Sequence, residues 1–481
     1  MGRQIGIILW TLLVLAGCNS DDPGSGGGIG GSGIRPVIVT GATSGSISGF
    51  GSIFVNGGRF DTDNAIFLIN DNPVSQGDLR IGMNVLAAVD FSSNVASQVD
   101  YVASLIGPVD MVNVVDNAFQ SMGQTVKLGG GTRYENISLA EISPGMVLEV
   151  SGLRDATGRI FATFIRPAPD TTRFQLVGTV LSDLDERQML TISGLTVNIT
   201  QADLSQISTD ELEFGDKVYV TADSTTYDST GPSLLVDSVR VALEPMVAAG
   251  DRVEYEGMVS TFTSPFDFDI YWQPVSATDQ TRVEFQDGTL ADLSMIMLNT
   301  RLEVEAIVQE NGAYQASKII LIETENSTIT GAIEQITPDT ASFTVLGLDI
   351  QVTDRTRYDG SSDDDADQDI GSFGELAVGD YVEIDASFLG NRLIANAVEV
   401  DDPNDRAILE GPVTALDITP EKIDVMNIPI SLDAQTSYEN RDDEQISKEE
   451  FFEQLRVGVV VKVRWDEFQS ESIAADKLAI E

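Results

Sequence analysis

Histidine is absent from this chain and cysteine occurs once. The first absence removes Ser-His-Asp hydrolysis, Cys-His catalysis and the His-containing zinc and iron sites. The second removes any internal disulfide, the staple that small domains outside the cytoplasm commonly use. Basic residues are scarce as well: 28 Lys and Arg stand against 76 Asp and Glu, a formal net charge of −48. Such a field repels phosphate backbones and anionic headgroups. No compensating basic patch is visible, so nucleic acid is excluded as a partner. The same charge confers solubility and attracts cations, whether calcium, a basic protein face or a cationic small molecule. Carboxylate chemistry, a Ser-Lys pair and hard-cation binding survive these exclusions.

What is present begins with an N-terminal leader. Arg3 supplies a positive charge, residues 5–14 an apolar run, and Leu15-Ala16-Gly17-Cys18 a small-residue cleavage site ending in the lone cysteine. The apolar run is about a dozen residues, short of the roughly twenty a spanning helix needs. The pattern resembles the lipobox of bacterial lipoproteins. That resemblance implies removal of residues 1–17 and a lipid on Cys18, with the membrane reached through that lipid. Asn19 after the cysteine, by the sorting rule the resemblance brings, points to the outer membrane of the cell envelope, on its periplasmic or surface face. Residues 18–44, rich in Gly and Ser, are expected to be a flexible tether.

Beyond the tether a spaced motif comes round six times. Its first step reads Gly45-Ser46-Ile47, Gly107-Pro108-Val109, Gly178-Thr179-Val180, Gly257-Met258-Val259, Gly331-Ala332-Ile333 and Gly411-Pro412-Val413. A second glycine follows dozens of residues later with alternating apolar residues behind it, as in Gly215-x-x-Val218-x-Val220 and Gly379-x-x-Val382-x-Ile384. In the fourth copy Asn299 replaces it, which predicts a turn with positive φ. A third mark, such as Ala162-x-x-Ile165, Ala316-x-x-Ile319 or Ala395-x-x-Val398, closes each unit. Two strand-like runs lie between the glycine steps, and a short helical signal precedes the second; its clearest form is the capping box Ser447-Lys448-Glu449-Glu450. Three strands, a helix and two strands is the order of a five-stranded OB-type barrel. Generic five-stranded meanders and SH3-like barrels share the periodicity.

The expected fold is therefore all-β with short helices: a tandem array of about six small five-stranded OB-like barrels at residues 45–106, 107–170, 174–244, 253–325, 327–402 and 407–481. Small barrels without disulfides are expected to lean on their neighbours. These repeats, with the Thr-x-Tyr strands Thr132-Arg133-Tyr134, Thr356-Arg357-Tyr358 and Thr436-Ser437-Tyr438, resemble the bacterial domain of unknown function 5666, most strongly in copies two, three, five and six. The resemblance implies small β-barrel modules outside the cytoplasm and brings no activity and no catalytic residues.

Two departures between copies stand out. The acidic run Asp363-Asp364-Asp365-Ala366-Asp367-Gln368-Asp369 fits neither register of an EF-hand loop. An irregular calcium loop using Asp363, Asp365, Asp367 and Asp369 and a solvated insertion both remain as readings. In the fourth copy, alternation puts Phe266, Phe268, Ile270 and Trp272 on one half-buried face, leaving Tyr271 as the candidate surface contact. The leading functional expectation is a lipid-anchored, non-catalytic binding or structural array with a cationic, glycan or protein ligand and no cofactor. The alternatives are a carboxylate-dependent enzyme on envelope polysaccharide and a calcium-responsive adhesion protein. One deep cleft of converging acids would favour the enzyme; equivalent shallow grooves would favour binding. Nothing in the sequence bears on oligomeric state.

Overall fold

The computed structural model describes residues 41–480, apart from 114–117, 130, 208–211, 243–246, 272, 361–370, 391, 402–406, 417–421, 441–443, 456–458 and 466–472. These residues are nearly all β, built from closed five-stranded barrels, as the sequence pattern predicts.

The fifth copy gives the plan. Its first strand, Thr324–Thr337, pairs antiparallel with the fourth, Tyr381–Leu389, along one stretch and with the second, Ser342–Val345, from Ile333 onward. The second pairs with the third, Leu348–Gln351, which runs parallel to the fifth, Arg392–Asp401, and the fourth and fifth form a hairpin. That ring, in the order 1-2-3-5-4-1, is the closed OB arrangement. The same pairings recur in the fourth copy, from Arg252–Ser264 through Tyr314–Leu321, and in the sixth, from Ala407–Leu416 onward. The expected helix is realised as Lys448–Gln454, where the Ser447 hydroxyl accepts from Glu450 N–H and the Glu450 carboxylate accepts from Ser447 N–H. At Ser138 the same box holds only a 3₁₀ turn, Leu139–Glu141.

The glycine motifs have distinct causes. The second-step residues lie where a positive φ is required: Gly82 at +92°, Gly145 at +90°, Gly215 at +99°, Gly379 at +98° and, as expected from its side chain, Asn299 at +68°. The first-step glycines instead make room. The hairpin between strands two and three closes with two left-handed residues, as at Leu346-Gly347 and Met426-Asn427, and folds its tip back over the first strand. A Cβ on Gly411 would lie 2.3 Å from Met426 Sδ, one on Gly107 2.8 Å from Met122 Cε, and one on Gly45 2.1 Å from Asn56 Oδ1.

The Thr-x-Tyr and Ala-x-x-Ile marks are two halves of one contact. Thr132, Thr281, Thr356 and Thr436 are buried, and their hydroxyls donate to the carbonyls of Ala162, Ala316, Ala395 and Ala475 at 2.8, 2.9, 2.7 and 2.8 Å. The bond ties the chain leaving the third strand to the fifth. Replacing the hydroxyl with a methyl strands a buried carbonyl, so Thr356→Val is expected to cost about 1–2 kcal/mol by urea denaturation. The exposed Thr263→Val serves as the control.

The barrels are joined through their first strands. In each ring the early part of that strand has the fourth strand on one side and nothing of its own barrel on the other, an open edge. Thr328 and Ile329 of the fifth copy use it to pair with Glu410 and Leu409 of the sixth, and Gln175 and Leu176 of the third pair with Ile106 and Leu105 of the second. Residues 41–44, grouped with the tether on sequence, run parallel to Arg252 through Tyr255 of the fourth copy. The first copy is thus joined by strand pairing to the fourth, more than two hundred residues on. Buried apolar side chains run continuously through copies two and three, and again through five and six.

Candidate functional site

Where the second, fourth, fifth and sixth copies meet, their surfaces enclose a cleft of about 1230 Å³. Its wall is mainly apolar: Met258 beside the first-step glycine of the fourth copy, Phe388 and Leu393 from the fifth, and the hairpin tips carrying Leu346 and Met426. Both tip residues have positive φ, +53° in each, a conformation bulky side chains seldom adopt. Strain of this kind persists where packing on all sides fixes it.

The polar part of the wall contains Lys127, Arg159 and Arg301 against Glu323 and Asp349. That balance departs from the chain as a whole, where acids outnumber bases almost three to one. Most of this charge is engaged. Arg301 pairs with Glu256 at 2.5 Å, Arg159 with Asp155 at 2.6 Å, and Glu323 accepts from Arg355 at 2.5 Å and from the Ser387 hydroxyl at 2.7 Å. The arrangement offers hydrogen bonds and apolar contact without a concentrated charge. Glycosidic cleavage needs two carboxyl groups across a cleft, one as acid and one as base or nucleophile. Here Glu323 is held by Arg355, and Asp349 is the other acid of the wall.

A second concentration of charge lies on the outer side of the fourth barrel. Glu254 stands directly across from Glu305, and Glu256 from Glu303, on strands Arg252–Ser264 and Arg301–Val308. Glu254, Glu256 and Glu303 are each 7% exposed. Arg252 reaches Glu254 and Glu305 at 2.7 and 3.0 Å, Lys318 reaches Glu284 and Glu305, and Ser46 N–H of the first copy donates to Glu256 at 2.8 Å. Burial pushes the Glu254 carboxyl up to about 7. Burial and then the neighbouring Glu254, Glu256 and Glu305 push Glu303 up to about 8.

The residues singled out on sequence fare differently. Cys18 and Asp363, Asp365, Asp367 and Asp369 lie outside the described residues. Phe268 and Ile270 are buried as expected, but Phe266, expected on the same face, is 43% exposed at the turn before its strand; Trp272 is outside the described residues. Tyr271, expected as a surface contact, has its hydroxyl buried among other copies, with Lys217 5.3 Å from its ring. It sits at the hairpin tip with φ +44°, so the turn folds it inward over the first strand. Among the described residues no group of three or more Asp, Glu, His or Cys is placed to hold a metal ion, and no helix is long and apolar enough to cross a membrane.

The cleft-forming copies are also those that carry the Thr-to-Ala hydrogen bond, and they are what comparison with known families finds. Residues 106–166, 256–320, 330–399 and 410–478 match the model of the Domain of unknown function DUF5666, together more than half of the chain. The chain belongs to the DUF5666 family. The third copy, expected among the stronger resemblances, lies outside the DUF5666 matches, and the fourth, expected among the weaker, lies inside. In the fourth copy the tyrosine is replaced by Val283, while the buried hydroxyl contact persists in the Thr281–Ala316 bond. No curated protein matches. Among solved structures, a 1.0 Å structure of a tryptophan-to-alanine variant of Escherichia coli CusF with Cu(II) is 14% identical, covering 16% of this chain and 94% of that one, with a TM-score of 0.13.

Proposed function

We propose that this DUF5666 protein is a lipid-anchored, non-catalytic binding protein of the bacterial cell envelope, whose barrels pack together to present one ligand cleft. The observation that carries the reading is the cleft of about 1230 Å³, lined among the described residues by the four copies that match the family. Its size exceeds the ~300–1,000 Å³ of ordinary small-molecule sites and suits an extended ligand, a glycan or peptide segment. The engaged state of Glu323 supports binding over hydrolysis. Division into six modules and attachment through Cys18, with residues 1–17 removed, belong to the same reading.

Two measurements test it. Asp349 is exposed on the cleft wall, so Asp349→Trp is expected to narrow the cleft without lowering stability. Thermal-shift titration of the native chain with glycan fragments and basic peptides is expected to find a ligand whose stabilisation falls at least tenfold in affinity in the Trp variant. Equal responses from both chains would remove the cleft from the account. For the anchor, Cys18→Ala is expected to move the protein from the membrane to the soluble fraction. Retention in the membrane would contradict lipid attachment at that residue.

A further inference from the structure

On the outer face of the fourth barrel the charges do not balance. Arg252 reaches Glu254 and Glu305, Lys318 reaches Glu305 and Glu284, Arg282 reaches Glu284, and Arg301 reaches Glu256. Every cation of the group is thereby engaged. Among the described residues Glu303 has neither a cation nor an N–H partner, although it is as buried as Glu254 and Glu256. Its direct neighbours across the sheet are Glu256 on one side and the apolar Ile320 on the other. An ionised carboxylate in such a place carries a large desolvation cost with nothing to offset it, so the group keeps its proton instead.

That proton has an acceptor. Glu254 uses Oε1 for Arg252, while its Oε2 is buried without a hydrogen-bond partner. Glu254 pairs with Glu305 and Glu256 with Glu303, so Glu254 and Glu303 are diagonal neighbours on one face, a spacing long side chains span. The surplus acid and the unused buried oxygen complete each other as a carboxyl-to-carboxylate hydrogen bond.

The same group holds the first copy. Strand Gly41–Phe50 carries no charged side chain, and Gly41 through Ser44 lie along Arg252 through Tyr255. Beyond that ladder, Ser46 N–H donates to Glu256 Oε2 at 2.8 Å, and Phe91 of the first copy lies 4.4 Å from the Arg252 guanidinium. Both anchors therefore belong to the charge network. Ionised Glu303 would stand directly across from Glu256 and, two residues along its own strand, compete with it for Arg301.

We propose that Glu303 and Glu254 form a proton-dependent latch on the joint between the first and fourth copies, which seats residues 41–46 while Glu303 is protonated and loosens them when it ionises. The latch does not rest on the reading given to the large cleft. Its sign follows from Glu303 being pushed up to about 8 by burial and then by Glu254, Glu256 and Glu305, against Lys318. A group raised in the folded state holds below that value and lets go as pH rises through it.

The test is hydrogen–deuterium exchange of the full native chain and of Glu303→Gln, compared at matched pH from 6 to 9 so that intrinsic exchange cancels. The glutamine amide can donate to Glu254 Oε2 but cannot ionise. At pH 9 the amides of residues 41–46 are expected to exchange roughly tenfold or more faster in the native chain than in the variant, and alike in both at pH 6. Residues 105–109, at the joint between the second and third copies, are expected to exchange alike in both chains throughout. Equal exchange of residues 41–46 in the two chains at pH 9, or equal acceleration of residues 105–109, would overturn the latch. Infrared spectroscopy of the native chain alone gives a second reading that needs no variant. A protonated-carboxyl band is expected at pH 7 and is expected to vanish by pH 9; its absence at pH 7 would likewise overturn the proposal.

Discussion

Glu303→Gln is expected to stabilise the protein above pH 8 and to change little at pH 5. Glu303 is pushed from an ordinary 4.5 up to about 8 in the folded chain, by burial first and by its acidic neighbours second. The unfolded chain releases that proton near 4.5, while the folded chain keeps it until about 8. The native state therefore binds more protons in this interval, and stability falls as pH rises through it. Glu254, pushed up to about 7, adds in the same direction. At about 1.4 kcal/mol per unit, Glu303 alone corresponds to a loss on the order of 5 kcal/mol across the interval. The amide cannot ionise, so the variant abolishes most of that loss. Urea denaturation at intervals from pH 5 to pH 9 checks it; parallel pH profiles for native and variant chains would contradict it. Carboxylates such as Asp90, Asp223 and Glu450 behave oppositely. Their Ser and Thr hydrogen bonds hold them below the usual range, so their contribution is present above that range and lost as pH falls.

Gly257→Ala is expected to cost far more than Gly411→Ala, although both remove the same repeated glycine. A Cβ at 257 would lie 2.2 Å from Cγ2 of Ile270, a β-branched side chain buried in the barrel core and stiff about χ1. A Cβ at 411 meets the sulfur and Cγ of Met426, an unbranched side chain that adjusts more readily than isoleucine. Overpacking a rigid core costs ~1–3 kcal/mol. We expect about 3 for Gly257→Ala and about 1 for Gly411→Ala. The Met426→Gly change should make the second substitution cheaper by about 1 kcal/mol in a double-mutant cycle. Equal costs at 257 and 411, with no coupling to Met426, would show that the glycines are there for some reason other than making room for the hairpin that folds back over the first strand.

These two cases mark where the sequence was legible. Strand order, the capped helix at Lys448–Gln454 and the positive φ at Asn299 follow from local chemistry, namely periodicity, a capping box and turn preference. The first-step glycines announced themselves by repetition, but their cause lies in a side chain at the hairpin tip or on the strand residue just before it, a contact no local pattern encodes. Glu254, Glu256, Glu303 and Glu305 alternate with apolar residues and read as a solvated strand face. Glu254, Glu256 and Glu303 are nonetheless buried, with the first strand of another copy paired to Arg252 through Tyr255 and Ser46 N–H of that copy donating to Glu256. Tyr271 was misplaced because its left-handed hairpin turn folds it inward. The cleft was illegible because its wall is assembled from four copies, and its most telling members, Leu346 and Met426, are ordinary apolar residues whose left-handed backbone only the turn geometry reveals.

The pairing of the first copy with the fourth joins barrels more than two hundred residues apart, and it can be trapped covalently. Ser44 and Tyr255 are direct partners across that parallel seam. Neighbouring strands hold such residues within the Cα separation a disulfide needs. In a chain carrying Cys18→Ser, no other cysteine competes. Ser44→Cys with Tyr255→Cys, oxidised at low protein concentration, is expected to form an intramolecular disulfide, detected as a faster-migrating, reducible band and as a 44–255 linked peptide by mass spectrometry. Free thiols, or links formed only between molecules, would contradict the packing of sequence-distant barrels against one another that buries the fourth barrel's carboxylates.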